Sequence, residues 1–179
     1  NPDMAEADVL GWAARAEVAS EHPLARPILT AAGFTPPLPE VSETVPGKGV
    51  MAISTGRTVL VGNRALLCMF WSKRVGAECP TALDEAEAVS ADLARSGRTP
   101  MMVAVDGDVI GVIAVADELR ADTPAFMTAM RSAGVETVVM LTGDNRAVAD
   151  HVASLAGIED VRAGLLPEDK LLAVKALQE

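Results

Sequence analysis

The sequence predicts two fold classes in succession: an α+β domain over residues 1–116 and part of a doubly wound α/β domain over residues 117–179. In the first stretch, helical periodicity alternates with short strands that pair as hairpins, about Thr55-Gly56 and, most clearly, about Asp106-Gly107. In the second stretch, strands and helices alternate with short connections, which is the order that builds a parallel sheet. The boundary is therefore expected near residue 117.

The first stretch is predicted to form an antiparallel sheet flanked by helices. A helix over residues 4–20 is followed by a short one within residues 23–33. We expect this second helix either to start late or to be distorted, because Pro27 lacks an amide donor. The other predicted elements are strands over residues 50–54 and 58–61, helices over 64–71 and 82–95, and strands over 101–105 and 109–115.

The second stretch reads as a fragment of a parallel sheet with its crossover helices. Helices are predicted over residues 123–133 and 146–156, and a last one opens at Pro167. A valine-rich strand of the buried type is predicted over residues 136–141, and a short one over 160–165.

Composition narrows the function classes. The chain has 179 residues, half of them apolar, which suffices for a packed core. Its net charge of −10 argues against general nucleic-acid binding, and three Phe, two Trp and no Tyr argue against base-stacking surfaces. The longest strongly apolar run, residues 109–116, is far shorter than the roughly 20 residues of a spanning helix. We therefore expect a soluble piece without a membrane segment.

The two cysteines, Cys68 and Cys79, match no thiolate metal motif and do not make a disulfide framework. We expect reduced thiols without a function, and no metal site formed by side chains of this chain.

A glycine pair marks the entrance of a predicted strand. Gly47-Lys48-Gly49 and Ala52 fit G-x-G-x-x-A, but Pro46 precedes the glycines and strands follow, so a dinucleotide fold is excluded. A Walker P-loop is excluded as well, because no G-K-S or G-K-T is present. The pair either lets a ligand approach the backbone closely or forms a plain tight turn, and the glycines alone favour the turn.

The charge pattern around this pair favours an anionic ligand. Residues 44–77 contain no acid. In an acidic chain, such a local surplus of positive charge could accept a nucleotide triphosphate, although a solvated basic face is the simpler alternative. The cations are Lys48, Arg57, Arg64, Lys73 and Arg74.

Two further segments carry candidate chemistry. His22 lies in a turn held by Pro23 and could present its ring to a ligand, although a local capping role is the simpler interpretation. Residues 140–145 lie where a strand ends and a helix begins, the place where open α/β sheets bind ligands. There Thr142, Gly143 and Asp144 can handle a phosphate and its metal, although Asp144 or Asn145 could simply cap the helix, a role compatible with ligand binding. Lys170 can send a charge toward that phosphate or be an ordinary exposed lysine.

Together these segments resemble a P-type ATPase of the heavy-metal-transporting class over nearly the whole chain. The most specific match is S-E-H-P-L-A at residues 20–25, with Glu17 five residues before His22 as in the family. The others, in the family's order, are V-P-G-K-G-V at 45–50, V-G-N-R at 61–64, A-D at 116–117, L-T-G-D-N at 141–145 and L-P-E-D-K at 166–170.

The resemblance implies a nucleotide-binding domain joined to a partial, haloacid-dehalogenase-like phosphorylation domain. It implies roles at matching positions: Glu17 and His22, with Pro23, would contact the adenine end of ATP. The residues that would lie close to the nucleotide and complete its pocket are Gly47, Lys48, Gly49, Gly62 and Asn63. The phosphoryl group and Mg²⁺ would face Asp117, Thr142, Gly143, Asp144 and Lys170.

The departures from the family are specific. D-K-T-G-T, which carries the phosphorylated aspartate, and G-D-G-x-N-D, which helps hold Mg²⁺, occur nowhere in the sequence. We therefore expect a cytoplasmic fragment of an integral membrane protein that binds ATP without forming the phosphoenzyme and has an incomplete Mg²⁺ site. Its partners would be the missing phosphorylation, actuator and transmembrane parts, with the transported metal ion bound elsewhere. Two alternatives stay open: a soluble phosphatase with residues 1–116 as its cap, and a non-catalytic module that senses nucleotide.

Overall fold

The computed structural model describes residues 4–75, 79, 82–116 and 120–178. These residues form helices α1 (Glu6–Glu17), α2 (Ala25–Ala32), α3 (Arg64–Val75), α4 (Ala82–Arg95), α5 (Thr123–Ser132), α6 (Arg146–Ala156) and α7 (Pro167–Ala176). The strands are β1 (Val41–Val45), β2 (Gly49–Ser54), β3 (Arg57–Gly62), β4 (Arg98–Val105), β5 (Asp108–Ala116), β6 (Val139–Leu141) and β7 (Asp160–Arg162).

The chain divides into two compact units. Unit 1 comprises Asn1–Ala91 and Pro100–Val115, and unit 2 comprises Asp92–Thr99 and Ala116–Glu179. The assignment of separate functions to residues 1–116 and 117–179 stays a prediction.

Unit 1 is built on a five-stranded sheet with the order β1-β2-β3-β4-β5. The pairs β1–β2, β2–β3 and β3–β4 are antiparallel, and Val61 at the centre lies opposite Val50 on one side and Val103 on the other. The turn residues of both predicted hairpins adopt positive φ, at Thr55-Gly56 and Asp106-Gly107, as tight hairpins require. The predicted α+β class is confirmed for this unit.

Helices cover both faces of this sheet because strand side chains alternate between them. Val59 and Val61 point to a core shared with α1 and α2, whereas Leu60, between them, belongs to a second core. That second core is formed with Leu66 and Leu67 of α3 and the first turns of α4. The α1–α2 pair therefore packs on one face of the sheet, over β2 and β3, and this packing positions the residues described below.

Unit 2 contains a small parallel sheet, in which β6 pairs with β7 and Met140 lies opposite Val161. This confirms the predicted parallel α/β order. The strand expected over residues 136–141 is shorter than predicted, and its three residues are half-buried rather than fully buried. Few large side chains are buried in this unit, and α7 exposes Leu171 and Leu172 to 58% and 62%.

Two expectations differ from the structure. Strand β1 was not predicted, because four of its five residues are exposed and no apolar alternation marks them; pairing with β2 makes it a strand. The expectation of reduced cysteines is wrong: Cys68 and Cys79 form a disulfide with a Cα–Cα distance of 5.0 Å. The fold brings them together, and their spacing in the sequence does not reveal it. None of the described helices is long and apolar enough to cross a membrane.

Candidate functional site

An open cavity of about 570 Å³ lies at the corner between α1 and α2. Its size is in the range of small-molecule sites, and two of the predicted residues, His22 and Pro23, line it. Sequence reasoning missed Arg26 and Thr30, which follow His22 at spacings of four and eight residues; that helical spacing was the available signal. The full lining is Ser20, Glu21, His22, Pro23, Ala25, Arg26, Leu29 and Thr30.

His22 combines the two roles that the sequence left open. Its Nδ1 accepts a hydrogen bond from the Leu24 amide at 3.3 Å, while its own amide donates to Ser20 Oγ at 3.2 Å. An imidazole that accepts through Nδ1 carries its proton on Nε2 when neutral. The ring is exposed, so the capping bond orients it and leaves Nε2–H as a donor for a ligand.

Glu17, at the end of α1, is the buried acid of this corner. It is 4% exposed, and its Oε2 has no hydrogen-bond partner among the described residues. Burial raises the pKa of this carboxyl above its ordinary value, while a hydrogen bond with Ser20 and the charge of His22 act in the opposite direction. A buried acceptor without a donor is costly, so Glu17 is poised to accept a hydrogen bond from a ligand.

The glycine pair forms a turn between β1 and β2 that packs against the end of β3. A Cβ at Gly49 would overlap the Val61 carbonyl oxygen, and one at Gly62 would overlap the Lys48 carbonyl oxygen. Asn63 closes this contact, since its Nδ2 donates to Gly47 O at 2.9 Å and its amide to Lys48 O at 2.9 Å. The close backbone approach that the glycines allow is therefore an approach of two chain segments.

The positive charges of residues 44–77 are less available than the sequence suggests. Arg57 pairs with Asp106 at 2.7 Å and lies over the Trp12 ring, and Arg64 pairs with Asp84 at 2.7 Å. Both acids lie outside the acid-free segment, so the fold neutralises cations that appear unopposed in sequence. Lys48, whose Nζ lies 3.9 Å from Met69 Sδ, is the cation of the glycine turn.

The predicted phosphoryl residues of unit 2 form a compact loop between β6 and α6. Thr142 donates through Oγ1 to Asp144 Oδ2 at 2.7 Å, and the Asp144 amide donates back to Thr142 Oγ1 at 3.1 Å. Leu165, just before α7, donates its amide to Thr142 O at 3.0 Å. Asn145 caps α6 by accepting from the Val148 amide. The starts of α6 and α7 thus lie beside this loop. The N-terminus of α6 favours an anion, whereas the first turn of α7 carries the acids Glu168 and Asp169.

The remaining predicted residues are placed as follows. Lys170 lies in the second turn of α7 and is half-buried. Asp117 lies outside the described residues. The described residues contain no cluster of three or more His, Cys, Asp or Glu that could hold a metal ion. Asp144 and Thr142 alone fit Mg²⁺ only as a partial site, which is how Mg²⁺ commonly binds together with phosphate oxygens and water.

The structure therefore gathers the predicted residues into three groups. Glu17, His22 and Pro23 lie at the α1–α2 corner, and the loop at residues 142–145 belongs to unit 2. The glycine turn joins Gly47, Lys48, Gly49, Gly62 and Asn63.

In unit 2, a small parallel sheet is followed by a loop beside the N-termini of two helices, and this arrangement indicates the class of protein. The sequence profile described as "haloacid dehalogenase-like hydrolase" matches residues 3–179, and the chain belongs to that family. Within this class, it is similar to heavy-metal-transporting P-type ATPases. It is 36% identical over 180 residues to the manganese-exporting P-type ATPase of Mycobacterium tuberculosis (strain ATCC 25618 / H37Rv), covering 99% of this chain and 24% of the relative.

Further comparisons agree with this assignment. The copper-exporting P-type ATPase of Bacillus subtilis (strain 168) is 35% identical over 177 residues, covering 97% of this chain and 21% of the relative. The crystal structure of a zinc-transporting PIB-type ATPase in the E2.Pi state aligns with a TM-score of 0.61 and 31% identity, covering 99% of this chain and 27% of that chain. The resemblance to heavy-metal-transporting P-type ATPases is confirmed. The chain spans about a quarter of the length of such relatives.

Proposed function

We propose that this chain is the ATP-binding part of a metal-exporting P-type ATPase, and that unit 1 binds the nucleotide. The observation that carries the proposal is the buried Glu17 oxygen without a partner, next to a cavity lined by His22. The parent would be an ATP-driven translocase in a cell membrane, with this chain on the cytoplasmic side. The relatives export manganese or copper, as their names state.

The α1–α2 corner supplies complementary groups for adenine. The carboxylate of Glu17 would accept a hydrogen bond from the exocyclic amine, and His22 Nε2–H would donate to the nucleotide. Because the Leu24 amide holds the imidazole through Nδ1, His22 is oriented before the ligand arrives, which lowers the entropic cost of binding.

The phosphoryl end would be handled by Thr142, Gly143, Asp144 and Lys170, with Asp117. The start of α6 and the lysine favour negative charge, and Asp144 would contribute one ligand to Mg²⁺. When bound, Mg²⁺ neutralises charge on the transferring phosphoryl group. The acceptor would be the aspartate of a D-K-T-G-T motif, which does not occur in this sequence.

Nucleotide discrimination tests the proposal directly. GTP carries a carbonyl oxygen where ATP has the exocyclic amine, so Glu17 would face an acceptor. We expect ATP to bind about tenfold more tightly than GTP, the cost of an unsatisfied buried group. Titration calorimetry of the 179-residue chain measures both affinities. Equal affinities would remove the adenine role of Glu17, and no heat with either nucleotide would overturn the proposal.

His22→Ala tests the donor. We expect it to weaken ATP binding by ~1–3 kcal/mol, since a hydrogen bond and its pre-oriented ring are lost. Calorimetric titration measures the change, and Glu21→Ala, an exposed neighbour in the same lining, is the matched control. Equal affinity for the wild type and His22→Ala would contradict the role of His22. Turnover of a phosphate ester by the wild-type chain would instead favour the phosphatase alternative.

A further inference from the structure

The disulfide between Cys68 and Cys79 takes no part in the proposed nucleotide binding. Cys68 lies on α3 and Cys79 in the connection between α3 and α4, 11 residues later. Both residues are half-buried, so a small thiol can reach the bond. We propose that this pair is a site of reversible thiol–disulfide exchange, which adjusts the turn at Gly47–Gly49 through α3.

The first link between α3 and the turn is Asn63, the residue that precedes the helix. Its Oδ1 accepts from the Leu66 amide at 3.1 Å, which caps α3. Its Nδ2 donates to Gly47 O and its amide donates to Lys48 O, both at 2.9 Å. One side chain therefore serves both the helix and the turn, so the orientation of α3 and the conformation of the turn are coupled.

The second link lies beside the disulfide. Met69 follows Cys68 directly, and its Sδ lies 3.9 Å from Lys48 Nζ. Cys68, Met69 and Cys79 all pack against the core formed by Leu66 and its neighbours. A displacement of Cys68 is therefore transmitted to Lys48 through Met69, and to Asn63 along α3.

The chemistry is a balanced exchange. The thiolate of a small dithiol attacks one protein sulfur, the Cys68–Cys79 bond breaks, and a mixed disulfide forms. The second thiol of the reagent resolves it, so the protein gains two electrons and two protons while the reagent becomes a cyclic disulfide. A small-molecule disulfide such as oxidised glutathione reverses the reaction. Accessible disulfides are the labile and regulatory ones. This one closes a short loop after α3, the helix that begins at the glycine turn, and the family resemblance places that turn at the nucleotide.

Hydrogen exchange of the oxidised and dithiol-reduced chain tests the coupling. Reduction should accelerate exchange of the Asn63 and Leu66 amides and leave the Val148 amide of unit 2 unchanged, and oxidised glutathione should restore the original rates. Identical rates at Asn63 in both states would overturn the inference. Alkylation of both thiols in the chain treated with oxidised glutathione would also overturn it.

The effect on the ligand rests on the proposed function and is read separately. We expect reduction to weaken ATP binding about fivefold, the lower end of typical coupling between two sites. Cys79→Ser, which leaves the α3 sequence intact, should bind ATP like the reduced wild type and show no redox response. A chain that binds no ATP in either state contradicts the proposed function, whereas the exchange rates at Asn63 still decide the redox inference. Equal ATP affinity in both states would overturn the coupling to the ligand.

Discussion

Glu17 keeps a carboxylate in the interior of unit 1 with one oxygen unpartnered, an arrangement that costs stability in the absence of a ligand. Its neighbours in α1, Ala13, Ala14 and Ala16, are fully buried in the core. A helix position with this burial would ordinarily carry an apolar residue. We infer that the acid is retained for binding, at the expense of the free energy of unfolding.

The pH dependence of stability tests this directly. Burial raises the pKa of Glu17, so between the unfolded and folded pKa values the folded state binds more protons. Its contribution to stability therefore falls as the pH rises above about 4.3, the ordinary glutamate value. We expect Glu17→Gln to gain about 1 kcal/mol over the wild type between pH 4 and pH 8, the order of a buried unsatisfied group.

Urea unfolding across that pH range measures the difference between the two curves, which cancels the contributions of the other carboxylates. Glu21→Gln, the same chemical change at an exposed site, should stay within about 0.5 kcal/mol of the wild type. A constant difference between Glu17→Gln and the wild type would contradict the burial effect. The same variant should bind ATP more weakly, so stability and affinity should move in opposite directions.

The turn between β1 and β2 shows how one element depends on its glycines. Gly49 has φ +139° and faces the Val61 carbonyl, whereas Gly56 in the next turn has φ +72° and open space around it. A substitution at Gly56 would therefore introduce backbone strain alone, whereas one at Gly49 would add steric overlap with the backbone. The turn can therefore be probed with a matched pair of alanine substitutions.

Gly56→Ala should cost about 1 kcal/mol, the strain of a left-handed residue. Gly49→Ala should cost about 3 kcal/mol, because overlap with backbone adds to the strain. Chemical denaturation of the two variants measures both costs in stability. If the turn contacts ATP, the Gly49 variant should also bind ATP more weakly. Similar losses for the two variants would show that the turn can relax away from β3.

At the scale of single elements, the sequence predicts the structure correctly where local backbone preferences determine it. Thr55-Gly56 and Asp106-Gly107 mark their hairpins because few residues accept positive φ. Sequence reasoning did not predict strand β1 or the Cys68–Cys79 disulfide, because each depends on a partner that only the folded chain brings close. For the site, family motifs indicate His22 and Glu17. The neutralisation of Arg57 and Arg64 could not be predicted, because their acidic partners are distant in sequence.

Across the whole molecule, the two units differ in how much apolar surface they bury. The two large cores described above both belong to unit 1. In unit 2 the fully or nearly buried apolar residues are mostly alanines, and α7 exposes leucines beside the buried Ala173. Since burial of apolar area is the main stabilising term, unit 1 should be the more stable of the two.

Paired substitutions on α7 test this view of unit 2. Replacing Leu171 and Leu172 with Gln should reduce binding of a hydrophobic dye and change the free energy of unfolding by no more than about 0.5 kcal/mol per residue, as for other exposed sites. Ala173→Gln, at a buried position on the same helix, should unfold unit 2. Thermal unfolding monitored by circular dichroism checks both. Strong destabilisation by the leucine changes would show that α7 packs them against something.

Trp12, whose ring centroid lies 5.4 Å from the guanidinium carbon of Arg15 and of Arg57, has a practical consequence for spectroscopy. The chain has two tryptophans and no tyrosine, and Trp12 and Trp71 both belong to unit 1. Intrinsic fluorescence excited at the indole band therefore follows unit 1 alone, whereas far-ultraviolet ellipticity follows both units. The difference between the midpoints of the two melting curves therefore shows whether the units unfold independently, and no added label is needed.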